Sequence, residues 1–169
     1  MLGKKVIVIG SPGGGKSTFS RGLSRVSGLP ITYLDQLNWN SDRTTVSREV
    51  FQQRLEQALE QAAWIIDGNY QRTLEVRIQQ CDTVFFLDFP VEVCLEGVRS
   101  RFGKSRPDIP WVETQVDWEF MQYIREFPDK NKPKILALRE KYPFKRWVVF
   151  HSRGQADAYL QGYEQAKCF

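Results

Sequence analysis

Lys16, Ser17 and Thr18 close the run Gly10-Ser11-Pro12-Gly13-Gly14-Gly15-Lys16-Ser17-Thr18, whose glycines and lysine stand at the spacing G-x-x-x-x-G-K-[ST]. Residues without a Cβ let the backbone wrap closely around a polyphosphate and turn successive N–H groups inward, and a following helix adds the positive end of its dipole. In this pattern Lys16 supplies a point charge at the β- and γ-phosphates and the Ser17 hydroxyl ligates Mg²⁺, while Thr18 hydrogen-bonds toward the α-phosphate. The flanks agree, because Val6-Ile7-Val8-Ile9 predicts a strand before the glycines and residues 16–27 a helix after them. The chemistry calls for a nucleoside triphosphate, taken as ATP, and for Mg²⁺.

Carboxylates stand where that chemistry would need them. Asp35 follows a second short apolar run, Asp67 a third and Asp88 a fourth. In an open parallel sheet these are carboxyl ends of strands, the edge where ligands bind and where the glycine loop also emerges. Phosphoryl transfer needs one acid to hold Mg²⁺ or its waters and another to orient, or take a proton from, the acceptor. Asp67 is assigned to the magnesium side with Ser17, and Asp35 to the acceptor side. Asp88 reads equally as the cap of a helix with Pro90 in its first turn. Trp39, Asn69 and Tyr70 suit the wall of an acceptor site, since rings and amides recognise small polar molecules. Core packing for Trp39 and turn formation for Asn69 are the alternatives.

Strands and helices must alternate to position these groups. The spacing predicts strands over residues 6–9, 31–34, 64–66, 84–87 and 147–150, each a short unbroken apolar run suited to a strand covered on both faces. Helices are predicted over 16–27, from a Ser47 cap to about 62, and over 91–102, 112–127 and 134–142. Ser152-Arg153-Gly154-Gln155 resembles a capping box opening a last helix. The expected fold class is α/β, with a five-stranded parallel sheet between helical layers in one domain over residues 1–169. Trp111, Trp118, Phe120 and Tyr123 would give the helix over 112–127 an aromatic face.

No apolar run approaches the ~18 residues of a membrane span, so a cytoplasmic protein without membrane partners is expected. Cys81, Cys94 and Cys168 are far apart and lack metal-ligand spacing, which suits reduced thiols, and His151 is the sole histidine. A net charge of +4, with basic clusters at Arg99–Arg106 and Lys130–Lys134, permits anionic partners without naming one.

The glycine loop, Asp67-Gly68 and Leu87-Asp88-Phe89-Pro90 resemble stretches of adenylate kinase and its nucleoside monophosphate kinase relatives. Leu34-Asp35-Gln36-Leu37-Asn38-Trp39, Trp64-Ile65-Ile66-Asp67-Gly68-Asn69-Tyr70, Arg106-Pro107-Asp108 and Pro133-Lys134-Ile135-Leu136 are more closely similar to the adenylate-kinase-like DNA topology modulation proteins, the FlaR-related family. The resemblance implies a three-layer P-loop NTPase fold, an acceptor-binding segment over residues 36–63 and a short lid over 102–111. It further implies that Arg101 and Arg106 serve the transferred phosphoryl from the lid, that Arg153 lies beside the adenine, and that Arg72 grips the acceptor.

Two departures accompany it. Gln71 displaces Arg72 by one residue from the arginine of adenylate kinases, and Gly97 stands where relatives carry a lid-base arginine. The function expected is ATP- and Mg²⁺-dependent transfer of the γ-phosphoryl to a small acceptor, nucleotides included. A nucleotide-binding regulator that contacts DNA, as the family name suggests, and a bare ATPase remain the alternatives.

Overall fold

The computed structural model describes residues 2–115 and 117–166. Cys168 and Val116 lie outside the described residues. In chain order the elements are β1 (Lys5–Gly10), α1 (Lys16–Ser27), β2 (Ile31–Tyr33), α2 (Leu34–Asn38), α3 (Arg48–Glu60), β3 (Trp64–Asp67) and α4 (Gln71–Gln80). Then follow β4 (Thr83–Leu87), α5 (Val91–Arg99), α6 (Trp118–Lys130), α7 (Lys132–Lys141), β5 (Arg146–Phe150) and α8 (Arg153–Ala166).

Unbroken valine and isoleucine in β1 require cover on both faces, and the fold provides it. The sheet is parallel throughout, in the order β2-β3-β1-β4-β5, with β1 central. Alternate residues serve opposite cores. Val6, Val8, Ile65, Phe85 and Leu87 pack with Phe19 and Leu23 of α1, Leu95 and Val98 of α5, Ile124 of α6 and Ala156 of α8. Ile7, Ile9, Ile66, Val84 and Phe86 pack on the other face with Leu55 and Leu59 of α3, Leu74 and Ile78 of α4 and Ile135 of α7. Each fully buried aliphatic or aromatic side chain contributes about 1.5–3 kcal/mol, so the two cores hold the sheet edge rigidly where the strands end. Cys81 and Cys94 are buried free thiols.

Several expected boundaries shift for local reasons. The spacing between β3 and β4 predicts no helix because Arg77 interrupts the apolar stripe of Thr73, Leu74 and Ile78, yet α4 forms there with that arginine fully buried. The short α2 follows β2 directly, burying only Leu34. Helix α6 starts at Trp118 rather than near 112, because the Asp117 carboxylate accepts from Phe120 N at 3.0 Å and caps it there. Trp111 is therefore outside that helix, and Trp118 is exposed. Helix α5 ends at Arg99, short of residue 102, and α7 begins at Lys132 with Pro133 in its first turn. Ser47 caps α3 through Val50 N at 3.2 Å as the spacing indicates.

Candidate active site

Helix α1 begins without a side-chain cap and without an acid in its first turn, so its leading N–H groups have no anionic partner of their own. The glycine loop that precedes it curls over this positive end, with Gly14 N donating to Ser11 O at 3.2 Å. Lys16 Nζ donates to Gly10 O at 3.0 Å and Ser11 O at 3.1 Å, which holds the ammonium inside the loop, and burial lowers its pKa.

Two neighbours fix the loop from outside. The Asn69 amide pairs with Gly10 in both directions, accepting from Gly10 N at 3.0 Å and donating to Gly10 O at 2.6 Å. Arg153 Nη2 donates to Gly13 O and Val93 O, both at 3.4 Å. Helix α5 presses on the loop at bare backbone. A Cβ at Gly97 would stand 2.1 Å from Gly13 O, and one at Gly13 would stand 1.9 Å from Cys94 O. The space that an arginine would need at position 97 is thus filled by the loop itself.

The glycine loop, the strand ends and the segment over residues 105–115 enclose a cavity of about 1040 Å³, lined among others by Lys16, Ser17, Thr18, Asp35, Asp67, Arg101, Arg106 and Arg153. Asp67 is 4% exposed and its Oδ2 is buried without a hydrogen-bond partner. Burial pushes its carboxyl from the ordinary 3.8 up to about 6, opposed by the charge of Lys16 and the Ser17 hydroxyl. Burial also raises Asp35, opposed by the Tyr70 hydroxyl, which donates to Asp35 Oδ1 at 2.8 Å.

Tyr70 is held in a left-handed conformation, φ 35°, with its ring stacked on Phe51 at 5.1 Å between centroids. That conformation is uncommon for a tyrosine. Its support is Arg77, whose guanidinium donates to the carbonyls of Gly68, Asn69 and Tyr70 in succession. The burial of that guanidinium lowers its pKa to about 9.

The segment after α5 brings further charges. Arg101 lines the cavity, its pKa lowered by burial and by the neighbouring Arg106. Arg106 is ion-paired to Asp108 at 3.3 Å and to Glu113 at 3.4 Å. Asp108, which the sequence offers only as part of the Arg106-Pro107-Asp108 stretch without a role, is 5% exposed and accepts from Ser17 Oγ at 3.3 Å. Beyond the acids, Trp39 meets Trp111 edge to face at 5.3 Å, and the Arg43 guanidinium lies 5.9 Å over the Trp111 ring.

Of the three strand-end acids, Asp35 and Asp67 converge on this cavity and Asp88 does not. Asp88 pairs with Lys132 at 2.7 Å and with His151 at 3.5 Å beside a separate cavity of about 300 Å³. It does not cap α5, whose N-cap is Pro90 without a side-chain hydrogen bond. Trp39, Asn69 and Tyr70 line the main cavity, although the Asn69 amide is engaged by Gly10. Arg72 is exposed at the start of α4 and is not among the lining residues.

The fold places the chain among the three-layer α/β P-loop proteins with a five-stranded parallel sheet. Among solved structures it is similar to shikimate kinase from Bacteroides thetaiotaomicron, with a TM-score of 0.62 and 18% identity over 97% of this chain and 98% of that one. Shikimate kinase from Acinetobacter baumannii in complex with shikimate gives a TM-score of 0.62 and 19% identity over 97% of this chain and 93% of that one. At such identities the likeness is one of fold. No family model matches the chain, and no curated protein matches it. Among the described residues no helix is long and apolar enough to cross a membrane.

Proposed function

We propose that this protein is an ATP- and Mg²⁺-dependent phosphotransferase that moves the γ-phosphoryl of ATP to a hydroxyl of a small acceptor. The observation that carries the reading is the convergence, in one cavity, of an uncapped P-loop helix with Lys16, the buried Asp67, the half-buried Asp35, Arg101 at the base of the lid and Arg106 within it. Residues 36–63 serve as the acceptor segment and residues 102–111 as the lid.

In this reading the P-loop N–H groups and Lys16 hold the phosphates, with Arg153 bracing the loop. The residues also fit a divalent cation, since Ser17 Oγ and the unpartnered Asp67 Oδ2 are hard oxygen donors at the phosphate end. When bound, Mg²⁺ offsets the negative charge of the β- and γ-phosphates. Asp35, with Oδ1 held by Tyr70, takes the proton from the acceptor hydroxyl as its oxygen bonds to the γ-phosphorus. The bond from that phosphorus to the β–γ bridging oxygen breaks, and ADP leaves. Arg101 and Arg106 stabilise the charge on the equatorial oxygens, an effect worth on the order of 10³ or more in rate. The raised pKa of Asp35 suits a base for this step. Trp39, Tyr70 and Trp111 bound the acceptor, and Arg72 takes no part.

A coupled ADP-release assay tests the reading, with ATP, Mg²⁺ and a panel of nucleosides, nucleoside monophosphates, sugars and hydroxy acids. Acceptor-dependent ADP release that disappears in Lys16→Ala is the expected result. Undiminished ATP consumption in that variant overturns the scheme.

A further inference from the structure

The lid carries an acid that the scheme above leaves unused. Asp108 is buried, accepts from Ser17 Oγ at 3.3 Å and pairs with Arg106 at 3.3 Å. Placing a carboxylate at the mouth of a polyphosphate site is electrostatically adverse on its own. It would repel the incoming phosphates as well as Asp67 and Asp35, both of which interact with it.

The hydrogen-bond inventory sharpens the conflict. Ser17 has one hydroxyl hydrogen and faces the carboxylates of both Asp67 and Asp108. Donation to either leaves the other short, and Asp67 Oδ2 is in fact buried without a partner. Buried acceptors in that state are costly. A divalent cation with a preference for hard oxygens removes both difficulties. Magnesium sites of this type use one or two carboxylates together with phosphate oxygens and retained waters.

We propose that Asp108 is a further oxygen donor to the metal position of Ser17 and Asp67, delivered by the lid. The metal–nucleotide site is then complete only when residues 102–111 are docked on the P-loop, and the same docking brings Arg106 to the phosphates. The inference rests on the nucleotide-binding reading above. Its rival is a plug, in which the Asp108 carboxylate occupies the place of a phosphate and must be displaced by ATP. The two differ in sign: loss of the carboxylate weakens metal binding in the first case and strengthens nucleotide binding in the second.

The experiment is a Mn²⁺ titration of the full chain, followed by the EPR signal of the free ion, with a non-hydrolysable ATP analogue at saturation. Analogue affinity is measured by calorimetry with and without Mn²⁺. Asp108→Asn is expected to weaken Mn²⁺ binding about tenfold or more. Asp108→Glu, which keeps the carboxylate, should recover part of the loss, while Glu119→Gln, an exposed acid on α6, should match the wild type. Wild-type Mn²⁺ affinity in Asp108→Asn overturns the proposal, as does tighter analogue binding with Mn²⁺ affinity unchanged. Metal-free analogue binding in Asp108→Asn that is no weaker than in the wild type shows that the P-loop is intact. If the wild type binds the analogue without any metal dependence, the proposal fails and the magnesium reading fails with it. Failure confined to Asp108→Asn leaves that reading standing.

Discussion

The two ends of the cavity are built by different means. At the P-loop end, backbone meets backbone: α5 crosses the loop where Gly97 and Gly13 leave no room for a Cβ, and Asn69 clamps Gly10 in both directions. At the other end, between residues 36–43 and 107–112, side chains reach across between segments. Gln36 Nε2 donates to Pro107 O at 2.5 Å, Arg43 Nη2 donates to Val112 O at 3.5 Å, and Trp39 meets Trp111. Gln36 and Arg43 bond across at exposed positions. Close-packed backbone has no low-cost alternative arrangement, whereas a few exposed bridges open at small free-energy cost. The difference teaches that one end is rigidly built while the other can open at small cost, which is what the proposed reaction would ask of a lid.

Breaking the rigid end should have the largest effect. Gly97→Arg forces a side chain into the Gly13 carbonyl and is expected to cost more than about 4 kcal/mol and to abolish nucleotide binding. Urea denaturation and ATP calorimetry would check this, and a variant that binds ATP normally would show that α5 can yield.

Arg77→Leu strikes between the two ends, leaving three carbonyls without their donor. A loss of about 3 kcal/mol is expected, with a weakened Tyr70–Asp35 pair, read as a lower denaturation midpoint and a raised acceptor KM. An unchanged midpoint would mean that the turn at Gly68–Tyr70 holds itself.

Asp67→Asn should act in the opposite direction. The folded pKa of Asp67, about 6, lies above the ordinary 3.8, so the folded chain binds more protons between these values. Stability therefore falls as pH rises through that window, and at pH 7 the buried charge costs on the order of 2–3 kcal/mol. The asparagine should recover most of that at pH 7, with the gain vanishing below about pH 4, while ATP turnover is lost. A Tm series against pH settles the sign.

At the soft end, Trp111→Ala should cost only about 1 kcal/mol. It should nevertheless speed amide exchange over residues 102–111 and leave exchange at the P-loop unchanged. Equal acceleration at both regions would abolish the distinction between them.

Most of the sheet was legible in the sequence because short unbroken apolar runs can be satisfied only between two helical layers. The P-loop was legible for a related reason, since its chemistry depends on residue types at consecutive positions. Helix α4 was hidden by Arg77, whose charge reads as an exposed residue until the carbonyls of Gly68, Asn69 and Tyr70 are seen to surround it. Asp88 shares with Asp67 its place after a strand, although its sequence reads equally as a helix cap. Its side chain falls on the side of Lys132, a partner distant in the chain that local spacing does not indicate.

Local spacing by itself determined the phosphate loop, the strand ends and the acids that follow them, because those properties depend on neighbours in the chain. Tertiary structure decided which of these acids share a cavity and why position 97 is bare. It also brought Asp108 to Ser17, 91 residues away in sequence. Such contacts arise from the crossing of elements distant in the chain, and a side chain's neighbours across a crossing leave no periodic trace in the sequence.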